Sequence, residues 1–280
     1  MFNQKVIKSS KFIEDSTKKN FKIFEHNLEK LIIIYKDLKS WLETEKKKAD
    51  SENKPLLIII SDAHNSKSAL LIQMMSLLIS SKYFNINRIF LEIAKDYQSS
   101  LFSTYFRIKQ NPNEMKNLAK ELMFEIFYCD ESLVNFVKHR NSPEKSEIDW
   151  GHQRELCFIQ TLLKNGLYDS IAIFGGFHLK CFFDNPIIRN EFHLALLQSD
   201  TKTFTNLSLT TALKFLSFFD KEADVMIKQA NFMWNELFVK QVDIDISNDI
   251  SIPDMLKELQ LLNTSIDSTT EKNLLSLKYL

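Results

Sequence analysis

Glycine is scarce in this sequence, 4 residues in 280, against 23 phenylalanines. That bias fits an AT-rich genome and excludes no function. Cysteine is nearly absent: Cys129, Cys157 and Cys181 are odd in number, widely spaced and form no Cys-x-x-Cys. The pattern excludes a disulfide framework and a structural zinc knuckle, and it fits a reducing compartment. Charge of one sign is missing as well, since Lys plus Arg and Asp plus Glu balance at 36 each. No net field favours nucleic acid or an anionic membrane, so no nucleic-acid partner is expected. Long apolar runs are missing: Leu31 to Tyr35 and Leu56 to Ile60 fall far short of the roughly 20 residues of a membrane helix, and no transmembrane segment is expected. The first residues, Met1-Phe2-Asn3-Gln4-Lys5, hold no apolar secretion region. The expected location is therefore the cytoplasm, or wherever delivery without a cleavable signal takes the chain. No repeat of fixed period occurs, and no low-complexity tract beyond Lys46-Lys47-Lys48.

What is present suits a globular protein, with 44% hydrophobic and 26% charged residues, enough for one large domain or a domain with helical attachments. From Asp15 to about Lys48, residues Phe21, Phe24, Leu28, Leu31, Ile32, Tyr35, Leu38, Trp41 and Leu42 recur at three- and four-residue steps, the spacing of one long amphipathic helix. Such a helix either packs on its own domain or binds a protein partner or a membrane surface. The charged stretch Glu43 to Pro55 reads as a helix end running into a linker.

Beyond it, strand-like and helix-like segments alternate, the order that builds a parallel sheet with helices on both faces. Leu56 to Ser61 is a continuous apolar, β-branched run, as in a strand buried on both sides. Asn65 or Ser66 can cap a helix through Leu78. A strand over Arg88 to Glu92 follows, then helical patterns over 114–127, 131–140 and 150–165, the last closed by Gly166. Ser170 to Phe174 is the third clear strand. Asn185-Pro186 opens a helix through Leu197, Thr203 to Leu209 suits a strand, 210–239 a helix, and Pro253 to Leu262 a short helix in a polar tail. The expected class is α/β, a mostly parallel sheet flanked by helices, with a long N-terminal amphipathic helix and helical C-terminal additions. The expected domains are an N-terminal helical segment, 1–53, an α/β core, 54–242, and a C-terminal tail, 243–280.

Each of the three best strands is apolar until its carboxyl end, where it releases a polar group. Asp62-Ala63-His64 follows the first, Glu92 closes the second, and Gly175-Gly176-Phe177-His178 follows the third. In an open parallel sheet these ends lie side by side, and ligands bind in the crevice outside them. Asp62, His64, Glu92 and His178 are therefore expected to share one crevice. Such a set can activate water by general base catalysis, with His64 or Glu92 taking the proton. Alternatively, Asp62, His64 and His178 hold a divalent metal that acidifies bound water. The bland alternative is a set of polar strand ends that cap helices and satisfy loop amides.

The apolar strand ending in Asp62-x-His64, Ile89-Phe90-Leu91-Glu92, the helical Arg154 in His152-Gln153-Arg154-Glu155, and Gly175-Gly176-Phe177-His178-Leu179 occur in an order that resembles the erythromycin esterase, ChaN, TraB and Tiki superfamily. The resemblance spans about residues 54 to 200. It implies a hydrolase acting on an ester, lactone or amide, with a small-molecule or peptide substrate, in a group that also includes haem-associated proteins. By that resemblance His64 is the general base or a metal ligand, Glu92 an orienting carboxylate or ligand, Arg154 a substrate or oxyanion clamp, and His178 the second base or ligand. The family usually has Gly-Glu where this sequence has Ser61-Asp62, and Phe177 is bulkier than the small residue usual before the last histidine. A changed substrate or a degenerate site, kept as a non-catalytic binding or effector module, would each produce these departures. Ser-Asp-Ala-His also occurs in the polymerase and histidinol phosphatase family, which needs more His and Asp ligands in another order.

Elsewhere, His26 and His193 read as surface or packing residues of helices, and His139-Arg140 as a solvated helix end. His152 stands two residues from Arg154, a spacing that turns them to different sides of a helix. Cys157 and Cys181 lack an adjacent base for nucleophilic work.

Overall fold

The structure is a computed structural model that describes residues 30–62, 66–93, 110–130, 147–175, 178–199 and 240–242. Two compact units divide the chain, residues 1–41 and residues 42–280. In the first, residues 30–41 are helical, with Leu31, Tyr35 and Leu38 buried at the expected spacing. The second begins with helical residues 42–52, α1. The last turns of the N-terminal helix thus belong to the unit that holds the sheet, upstream of the boundary expected at residue 53.

The second unit is built on β1 (Leu56–Asp62), α2 (Lys67–Phe84), β2 (Arg88–Leu91), α3 (Gln110–Glu121), β3 (Glu125–Tyr128), α4 (Glu147–Lys164), β4 (Ser170–Gly175), α5 (Lys180–Asp184), α6 (Pro186–Glu191), β5 (His193–Ser199) and β6 (Lys240–Val242). The strands form one sheet in the order β3-β2-β4-β1-β5-β6, and every pairing is parallel. This is the α/β class that the alternating segments imply. β1 and β4 are buried along their whole length, which is why both read as unbroken apolar runs rather than as alternating ones.

Connections fix which helix covers which face. The chain steps from β1 to β2 to β3 in one direction across the sheet, then returns to β4 and on to β5 in the other. Right-handed crossovers place helices of opposite travel on opposite faces. Accordingly α4, α5 and α6 share one core with Leu57, Ile59, Phe90, Ala172, Phe174 and Leu196, and no α2 residue joins it. Ile58, Ile60 and Asp62, one residue out of phase on β1, face the other way, toward α2. That helix is buried on all sides from Ala69 to Ser80 and starts where Ser66 accepts from the Ala69 amide, one of the two expected caps. Among the described residues no helix is long and apolar enough to cross a membrane.

Two segments differ from expectation. Residues 125–127, expected as the end of a helix, belong to β3. The four-residue spacing of Leu118, Leu122 and Ile126 runs across the boundary and hides it. The helix stops because Met123 takes a positive φ of 58°, and Asn87 O then captures the Glu125 amide at 2.7 Å. The helix expected from Asn185 through Leu197 ends at Glu191, and His193 to Ser199 is an inner strand. Leu194 to Leu197 suit a helix by propensity, but pairing with β1, begun by His193 N on Pro55 O at 2.9 Å, overrides it. The segments expected over 131–140, 203–209, 210–239 and 253–262 lie outside the described residues, as do His26, His139 and Arg140.

Candidate functional site

β1 leaves its carboxyl end toward one face and the adjacent β4 toward the other, with Asp62 paired to Gly175 in register. A crevice at such a switch point is where open parallel sheets bind ligands. Glu92 follows β2 directly and is 3% exposed. Its Oε2 accepts from the Gly175 amide and its Oε1 from Arg154 Nη2. Arg154 projects from α4 and is buried. It donates from Nε and Nη2 to both oxygens of Asp130, at 2.8 and 2.7 Å, the two-point fork that suits a carboxylate. Burial by itself would lower the proton affinity of this guanidinium, but the charges of Glu92 and Asp130 outweigh burial and hold it above the ordinary arginine range. Arg154 is a fixed cation.

His178 stands where the chain turns after β4. Its Nε2 lies 3.2 Å from Arg154 Nη1, and its Nδ1 lies 3.2 Å from Glu155 Oε1. Arginine only donates, so Nε2 is the acceptor and the ring proton sits on Nδ1, donating to Glu155; the tautomer follows from the partners. The ring is further held edge-on against Phe158, with centroids 5.4 Å apart and planes at 84°. Arg154 and Glu155 are consecutive on α4, yet both reach His178, one at each ring nitrogen. The Nε2 to Glu92 Oε1 separation is 3.8 Å.

The structure therefore brings together Glu92, Arg154 and His178 of the residues the sequence singles out. Asp62 is placed apart from them. Its carboxylate accepts from Gln73 Nε2 of α2 at 2.8 Å, on the face of the sheet opposite α4. His64 lies outside the described residues. Asp62 and His178 do not converge, and among the described residues no three His, Cys, Asp or Glu side chains are grouped as a metal would need. No step is assigned to a metal on these residues.

Two members of the cluster escaped the sequence reading, Asp130 and Glu155. Asp130 had a signal: Glu125-Ile126-Phe127-Tyr128-Cys129-Asp130 is another apolar strand ending in a carboxylate, obscured by its helix-like spacing. Glu155 had none, since neighbours on a helix rarely serve one partner. Cys181 packs against the apolar core shared with α4, and burial first, then Glu155, Asp184 and Glu92, push its thiol far above the ordinary range. Cys129 is raised likewise, chiefly by burial. Neither offers a thiolate at neutral pH. His193 lies in a strand and bonds carboxylates of α1, its Nε2 on Glu45 at 2.9 Å and its Nδ1 on Glu52 at 3.1 Å, the packing role expected of it. Comparison with family models, with curated proteins and with solved structures finds no match for the chain.

Proposed function

We propose that this chain is a hydrolase of an ester, lactone or amide, of the erythromycin-esterase and Tiki-like type, with His178 as its general base. The observation that carries this reading is the Glu155–His178–Arg154 arrangement at the carboxyl ends of parallel strands. Glu155 orients the imidazole and stabilises the imidazolium formed on proton uptake, as a carboxylate does for a catalytic histidine. Nε2 is left as the basic nitrogen, and Arg154 Nη1 stands beside it. A water that displaces the 3.2 Å bond between Nε2 and Arg154 Nη1 comes within reach of the base, and an oxygen gaining negative charge meets a fixed cation in a largely dry site.

The reaction balances simply. Water oxygen attacks the carbonyl carbon while Nε2 takes a water proton. Collapse of the tetrahedral oxyanion, held by Arg154, breaks the bond to the alkoxide or amine, which leaves with the proton from the imidazolium. Glu92 and Asp130 act as positioning residues that fix Arg154, and His64, released by the neighbouring strand β1, is the second base. Purified protein assayed against aryl esters, macrocyclic lactones and acyl amides tests the reading. Turnover is expected for at least one class, with loss of a hundredfold or more in His178→Ala. Undiminished turnover in His178→Ala and in His64→Ala would overturn it.

One observation favours a second reading, a non-catalytic binding or effector module. Arg154 already serves Glu92 and Asp130, which leaves it less to offer a substrate, and Asp62 stands where the family carries Glu. In that case no substrate class turns over, and partner capture depends on residues 1–55 and survives pocket substitutions.

A further inference from the structure

At the end of the sheet opposite His178, the amino ends of β1, β2 and β4 border an open cleft of about 530 Å³, a size usual for small-ligand sites. Its wall consists of residues from the turns into those strands, 53–55, 85–88 and 167–169, with Asp50 of α1.

The charges on this wall are already engaged. Asp50 and Asp169 both bind Lys46, each at 2.7 Å, and Asp169 also accepts from the Leu56 amide at 2.7 Å. Arg88 donates from Nε to Glu125 and from Nη1 to Asn165 O, both at 2.9 Å. Lys54 Nζ donates to Arg189 O at 3.2 Å. With two acids and two bases on the wall, an ion entering the cleft loses to one pair what it gains from the other.

What the wall still offers is neutral. The side-chain amides of Asn53, Asn85 and Asn87 are exposed and make no hydrogen bond among the described residues. Backbone conformation accounts for asparagine at 53 and 85, where φ is 54°. It does not account for Asn87, whose φ is not positive. The backbone there is fixed before any ligand arrives, since Asn87 O accepts from the Glu125 amide at 2.7 Å and Ile86 N donates to Ser80 O at 3.1 Å. Leu167 and Tyr168, 44% and 59% exposed, supply an apolar part. The Arg88 guanidinium, 4.4 Å from the Tyr168 ring centroid, holds that ring in place.

We propose that this cleft binds a neutral saccharide. A sugar hydroxyl both donates and accepts, and one asparagine amide engages two adjacent hydroxyls, donating from Nδ2 and accepting at Oδ1. The C–H face of a pyranose meets Tyr168 and Leu167. A nucleobase fits less well, because it has two apolar faces and Tyr168 is the one ring among the lining residues. An acidic sugar brings a charge for which the wall keeps no free partner. The inference assigns no chemistry to the cleft and does not depend on the hydrolase reading.

Chemical-shift mapping on the isotopically labelled full chain, titrated in turn with maltotriose, cellotriose, mannobiose, lactose and diacetylchitobiose, tests the proposal. At least one sugar is expected to shift amides of residues 53–55, 85–88 and 167–169 in a saturable way. Asn87→Ala should weaken its binding about tenfold, the worth of one or two hydrogen bonds, while melting as wild type does, because the side chain holds nothing within the protein. His178→Ala should bind it unchanged. No saturable shift with any of these sugars, shifts confined to other residues, or unchanged affinity in Asn87→Ala overturns the proposal. A Tm several degrees lower in Asn87→Ala also overturns it, by showing the amide bonded inside the fold. So does tighter binding of adenine or glucuronate than of the best sugar, the first marking a nucleobase site and the second an anion site.

Discussion

Arg154 is held at three of its nitrogens by Asp130, Glu92 and His178, so its removal strands two carboxylates in a buried setting. Breaking a buried pair from one side is far worse than never having built it. Arg154→Leu is expected to lower stability by about 3–5 kcal/mol in urea unfolding. Arg154→Lys should recover little of that, because one ammonium cannot reproduce the fork on Asp130. Glu155 is a different case. Its side chain is 22% exposed, so Glu155→Gln should change stability by no more than about 0.5 kcal/mol. On the proposed hydrolase reading the same substitution removes the charge that would support the imidazolium, and hydrolysis is expected to fall about a hundredfold at unchanged fold, read as kcat against urea midpoint. Loss of both activity and stability would place Glu155 in the core of the fold instead.

Among the elements, α4 is closed by Gly166, whose φ of +90° is one that side-chain-bearing residues avoid. A Cβ there would come within 2.8 Å of the Tyr168 ring, which the Arg88 guanidinium covers at 4.4 Å from the centroid. Gly166→Ala should therefore destabilise by about 1–2 kcal/mol, seen as a fall in Tm of several degrees. At α1, Glu45 is buried beside His193 and Lys48. Burial tends to raise its pKa, but the bonds from Lys48 and His193 prevail and the carboxyl lies below its ordinary value. A group with a lowered folded pKa contributes stability above its unfolded pKa of about 4.3, and that contribution is lost as pH falls through the folded value. Unfolding free energy measured from pH 6 to pH 3 should decline less steeply in Glu45→Gln than in wild type; equal slopes would remove Glu45 from the acid response. These elements also show what the sequence conceals. Gly166, Ser66 and the strands β1, β2 and β4 are legible because glycine, cap residue and β-branched run each have a local cause. β3 and β5 are not, because Leu122 to Tyr128 and His193 to Leu197 carry spacing and propensity that fit a helix, and only their pairing partners decide the matter.

For the whole molecule, the unit boundary at residues 41 and 42 has a consequence. Leu42 and Ala49 are buried, Lys46 reaches Asp169 at 2.7 Å, and Glu45 and Glu52 bracket His193. A chain beginning at residue 54 should unfold at clearly lower denaturant concentration than one beginning at residue 42; coincident curves would show that α1 adds nothing to the sheet. The α/β class, the parallel pairing of the strands and the release of polar groups at their carboxyl ends were determined by the sequence alone, because alternating apolar runs of strand and helix character admit few other arrangements. The tertiary structure alone decided which of those groups meet. A one-residue phase on a strand sends Asp62 to α2, whereas Glu92 and His178 meet Arg154 of α4, and that phase acquires meaning only once helices cover both faces. It also recruited Asp130 and Glu155, whose roles come from contacts across 24 and 23 residues of chain.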